Sequence, residues 1–75
     1  MMDKATFRKK VKESLTSQLL PLDDGPGHLT EEEAEEMISN HEYAIDEEFP
    51  KRDEYINESN WISATADWIW TLDYC

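Results

Sequence analysis

Both glycines and two of the three prolines fall within nine residues, Pro21-Leu-Asp-Asp-Gly-Pro-Gly-His-Leu29. These are the strongest local breakers of regular structure, so the chain must loop there. The breaker-poor segments on either side are long enough for helices, and only Pro50 interrupts the second one. A chain of 75 residues makes one domain, here residues 1–75. At that size only about 60–65% of the unfolded surface is buried, and stability is marginal.

The first segment predicts a helix over residues 3–20. Asp3 is a suitable N-cap. Phe7, Val11, Leu15 and Leu19 recur every fourth residue, which places them on one slowly drifting stripe. Lys4, Arg8 and Lys12 form a parallel basic row, and Pro21 stops the helix. Residues 21–29 read as loop.

Thr30-Glu31-Glu32-Glu33 is a capping box opening a second helix. Three glutamates in its first turn also suit the positive end of the helix dipole. Ala34, Met37, Ile38, His41, Ala44, Ile45 and Phe49 follow helical spacing, with Ser39-Asn40 as a weak spot where the helix can break. Pro50 disfavours helical geometry at Phe49 and marks a boundary.

The last segment fits two periods. As a helix over 60–73, capped by Ser59 or Asn60, it places Trp61, Ile62, Thr65, Trp68, Ile69 and Leu72 on one stripe. As a strand over about 66–74 it alternates apolar and polar residues, and Trp-Ile-Trp-Thr favours strands. A strand needs a partner strand, and the only other candidate, around Glu42–Phe49, fits the second helix better, so helix is preferred. Residues 51–58 are expected to be helical too, as a separate piece or as part of one longer helix. The expected fold is all-α, a small three-helix bundle. The alternative is α+β with a C-terminal strand.

Charge is divided very unevenly. Residues 1–12 carry five cations against Asp3, a net +4, and residues 13–75 carry 17 acidic side chains against Lys51 and Arg52, a net −15. The whole chain is −11. Such a balance favours association with basic surfaces and opposes direct binding to nucleic acid. Nine acidic residues lie between 31 and 48. One helix over 30–48 would span about 28 Å, so its charges would fall about 3 Å apart, close to the roughly 3.4 Å of one DNA strand. A row such as Glu32, Glu36 and Glu47 could then imitate a phosphate track. The plainer reading is a solvated polar face opposite a buried stripe.

The basic first helix has a similar pair of readings. A cationic amphipathic helix can lie on an anionic membrane. It can equally bury its Phe7–Leu19 stripe and place its cations beside the acidic second helix, which relieves repulsion. On a helical wheel Trp70 and Tyr74 point away from the Trp61 stripe, and Tyr43 lies on the polar face of the second helix. Exposed aromatic rings are favoured binding anchors, and beside carboxylates they suit Arg-rich and Lys-rich partners. A third helix or a second copy of the chain could cover them instead.

No catalytic or metal-binding pattern is present in the sequence. Asp23-Asp24-Gly25 opens like a calcium loop but lacks the alternating oxygen ligands and the closing glutamate. His28 and His41 have no ligand partner at metal-site spacing. A helical chain of this size offers little room for a cleft that would perturb a catalytic carboxylate. The expectation is a protein that is not an enzyme and takes no cofactor. Cys75 is the single cysteine, no apolar run approaches a membrane span, and no secretory signal precedes Asn57-Glu58-Ser59, so a reducing, cytoplasmic setting is expected.

The functional expectation is a small acidic protein-binding inhibitor or modulator. It would act as a DNA mimic on the basic surface of a nucleic-acid-handling host protein, in the manner of products encoded by phages and mobile elements. That last comparison is one of composition alone. The candidate contact residues are Glu32, Glu35, Glu36, Tyr43, Asp46, Glu47, Trp70 and Tyr74. The alternative is a structural or adaptor module that forms a homodimer or a larger assembly through its C-terminal aromatic surface.

Overall fold

The computed structural model describes residues 2–74. Helix α1 covers Lys4–Ser17, strands β1 and β2 cover Leu20–Leu22 and Gly25–Gly27, and helices α2 and α3 cover Glu31–Asn40 and Glu42–Glu48. A 3-10 segment over Phe49–Glu54 leads to helix α4, Glu58–Tyr74. The protein is therefore mostly helical with one small two-stranded sheet. The all-α, three-helix expectation is corrected on two points: the loop contains a hairpin, and the second helix is two helices. The C-terminal segment is helix over the residues offered as a strand.

Helix α1 starts where Asp3 caps it, with the carboxylate accepting from the Thr6 amide at 2.8 Å. These bonds from Thr6 hold the Asp3 carboxyl below its ordinary range. The helix stops earlier than the apolar spacing predicts, because Gln18 is already extended at φ −84°, ψ 143°. Leu19 leaves the stripe and is 68% exposed, while Leu20 turns inward in its place.

The hairpin is built from residues that rarely make strands. Leu20 pairs with Gly27, Pro21 with Pro26 and Leu22 with Gly25. The proline pair falls between the two outer pairs, where an antiparallel ladder asks for no N–H. Among the described residues no non-glycine residue has positive φ, so Gly25, at φ 105°, supplies the left-handed conformation that returns the chain after Asp23-Asp24.

Thr30 and Glu33 form the reciprocal capping box at the start of α2, with bonds of 3.1 and 3.0 Å. The helix breaks at His41, whose φ −130° and ψ 39° are not helical, and its carbonyl accepts the Ala44 amide as α3 begins. The weak spot thus lies one residue beyond Ser39-Asn40. Helix α4 is capped by Asn57, not by Ser59 or Asn60: its side-chain oxygen accepts from the Asn60 amide at 2.8 Å. Residues 55–57 are bends, so the 51–58 segment is only partly helical.

The core gathers Phe7, Val11 and Leu15 of α1, Ala34, Met37 and Ile38 of α2, Ala44 and Ile45 of α3, and Trp61, Ala66 and Ile69 of α4. Leu20 and Leu29 complete it from the hairpin and the segment that follows. The Phe7 and Trp61 rings stack at 4.1 Å with 14° between planes, and Phe49 tilts against both. Trp61 donates its indole N–H to the Glu48 carbonyl at 2.8 Å, which ties the end of α3 to α4. Among the described residues no helix is long and apolar enough to cross a membrane.

Candidate functional site

The acidic residues divide into two groups that differ in what they already hold. The first group faces α1. Arg8 donates through Nη1 to both oxygens of Glu35, through Nε to Glu42 at 2.8 Å, and through Nη2 to Ser39 Oγ at 3.1 Å. One guanidinium therefore spans the break between α2 and α3. The bonds to Arg8 push the Glu35 carboxyl below its ordinary range, and those to Glu35 raise Arg8 further. Lys12 lies 4.0 Å from Glu35, and Lys4 pairs with Asp46. Lys4, Arg8 and Lys12 lie against the acidic helices, whereas Lys9 and Lys10 are exposed away from them. Glu35 and Asp46, two of the candidate contact residues, are thus engaged within the chain.

The second group lies where α2 and α3 meet the end of α4. A groove of about 270 Å³ is lined by Leu29, Glu33, Glu36, Met37, Asn40, Asp73 and Tyr74. Leu29 and Met37 are nearly buried and form an apolar floor. Tyr74 is 42% exposed and stacks on Trp70 at 4.7 Å, with 19° between the planes. His41 Nε2 lies 3.4 Å from Asp73 Oδ1, and its Nδ1 lies 3.5 Å from the Tyr43 hydroxyl. Tyr43 is 52% exposed and meets Trp68 edge-on at 6.4 Å. A continuous line of contacts thus runs Trp68, Tyr43, His41, Asp73, with Tyr74 and Trp70 beyond.

Of the predicted contact residues, Glu36, Tyr43 and Tyr74 come together on this surface, while Trp70, predicted to be an exposed anchor, lies behind Tyr74 and packs against the core. Trp70 is half-buried and its indole N–H, shielded from solvent, has no acceptor among the described residues. Glu32 lies apart, in an open groove with Glu31, Glu35, Glu36 and Lys12. Glu47 is exposed on α3. The acidic row is not one line: α2 has 10 residues and α3 has 7, so each is about 15 Å or less in length.

Sequence reasoning missed His41, Trp68 and Asp73 at this surface. Asp73 carried a signal in its place beside Tyr74, but His41 and Trp68 were assigned to the buried stripes. His41 stands at the helix break, and Trp68 packs against the core on one side and meets Tyr43 on the other, so it is half-buried.

No group of three or more potential metal ligands occurs among the described residues. Cys75 lies outside the described residues. No family model, curated protein or solved structure matches this chain.

Proposed function

We propose that the protein is a small acidic binding module that occupies the basic ligand surface of a nucleic-acid-handling protein and inhibits or modulates it. One observation carries this reading. Lys4, Arg8 and Lys12 are absorbed by Asp46, Glu35 and Glu42, whereas Glu31, Glu32, Glu36 and Glu47 are exposed and carry no basic partner among the described residues. Uncompensated acids also lie at Asp23, Asp24, Asp53, Glu54, Glu58 and Asp67, but the densest run of them, Glu31, Glu32, Glu33 and Glu36, is on α2. Tyr43 is exposed just past the helical break and Tyr74 at the end of α4. A field of one sign speeds encounter with a basic surface, and the aromatic rings supply area to bury once contact is made.

The test is affinity capture from the native host at two salt concentrations, followed by a nucleic-acid-binding assay on the captured protein. Binding that weakens steeply with salt and displaces nucleic acid supports the reading. Binding indifferent to salt, or to proteins with no basic ligand surface, overturns it.

The exposed Tyr43 and Tyr74 also favour a second reading, a homodimer or adaptor joined through the aromatic surface. Sedimentation discriminates: a dimer that persists in high salt supports this one.

A further inference from the structure

We propose that the groove between α2 and the end of α4 takes an arginine side chain presented by the basic partner. The proposal rests on the function proposed above and names the side chain that its surface admits. Glu33 and Glu36 of α2 and Asp73 of α4 bring carboxylates to the groove from two elements, over the apolar floor of Leu29 and Met37. No cation lines it. One oxygen of Glu33 already accepts the Thr30 amide, so Glu36 and Asp73 are the main free acceptors, with His41 touching Asp73 from outside.

Charge alone would admit lysine as readily. The wall of the groove distinguishes them. Tyr74 lines the groove and is braced by its stack on Trp70, so an aromatic ring stands beside the carboxylates. A guanidinium is planar, weakly hydrated, stacks on aromatic faces and donates in several directions at once, while an ammonium is compact and strongly hydrated. The chain itself shows the arrangement at work. Arg8 is held by Glu35 and Glu42 from two helices, together with the polar Ser39. The groove repeats that supply on a neighbouring face of α2, with Glu36, Asp73 and the amide of Asn40.

The test uses the full chain, isotope-labelled, titrated at low salt with N-acetyl-arginine methylamide and with its lysine counterpart. Saturable amide shifts centred on Glu33, Glu36, Asp73 and Tyr74 are expected, with lysine weaker by about threefold or more. E36Q and D73N should each weaken arginine binding about three- to tenfold. E32Q, the same charge change outside the groove, should alter it less than about twofold. Y74L should narrow the preference for arginine over lysine. Shifts spread evenly over the acidic surface, or equal losses in E32Q and E36Q, overturn the proposal. If D73N loses its helical circular dichroism, E36Q and Y74L decide. Failure of the groove is distinct from failure of the function. Capture of a basic protein that survives E36Q and Y74L rejects the groove alone. Arginine seated in the groove of a chain that holds no basic protein rejects the function alone.

Discussion

Arg8 grips Glu35 through both carboxylate oxygens, at 2.7 and 2.9 Å from a single guanidinium nitrogen. The same side chain reaches Glu42 and Ser39, so it ties α1 to both acidic helices. Hydrogen bonds to charged groups contribute about 1.5–3 kcal/mol where they are shielded, and less where solvent reaches them. R8Q should therefore lower stability by about 2 kcal/mol in urea denaturation. It should also broaden the amide signals of residues 39–42, where the helix breaks.

The Arg8 contact also sets an acid limit. The folded-state pKa of Glu35 is lowered from its ordinary 4.5, so its contribution to stability is fully present above that value. It is lost as the pH falls through the lowered folded value, when the unfolded chain binds the proton more readily. Stability should decline as pH drops below about 4.5 and E35Q should decline less, as thermal melts across pH 2–6 would show. The Glu35 side chain is 44% exposed, so screening keeps this contribution to about 1 kcal/mol.

Removing charge from the exposed acids should separate binding from folding. E32Q, E36Q and E47Q together change the net charge from −11 to −8 and break no ion pair or hydrogen bond described here. Self-repulsion falls, so the urea midpoint should hold or rise. Partner binding measured at low salt should weaken at least about tenfold through the lost field. Unchanged binding in a folded triple variant would count against an electrostatic role.

Phe7 is wholly buried and stacks on Trp61. F7A should cost about 3–5 kcal/mol, most of the stability available to a domain of this size. Circular dichroism should show the variant largely unfolded at 25 °C, whereas F7L should keep the helical signal.

Gly25 is the hairpin residue at φ 105°, and a Cβ there meets nothing within 4 Å. The cost of G25A is therefore conformational and not steric, about 1 kcal/mol. Hydrogen exchange should quicken at residues 20–27 while the helices keep their protection.

The helical part of this fold was legible because its signals are local. Phe7, Val11 and Leu15 repeat within one helix, and Thr30 and Glu33 satisfy each other three residues apart. The hairpin was not legible because its register rests on Pro21 facing Pro26, a pairing that strand propensities disfavour. Leu19 was misplaced because the spacing continues past Ser17 although the backbone does not. The grouping of Glu36, His41, Tyr43, Asp73 and Tyr74 depends on contacts between residues more than 30 positions apart, which no window of sequence contains.

The interruption at His41 bears on the shape that a partner of the proposed kind would need. Helical phase restarts at Glu42, so the acids after the elbow do not continue the wheel of those before it. A receptor cleft cut straight for a rod would keep step with one limb and lose the other. A bent or divided cleft, able to address both limbs together, is the better complement to this outline.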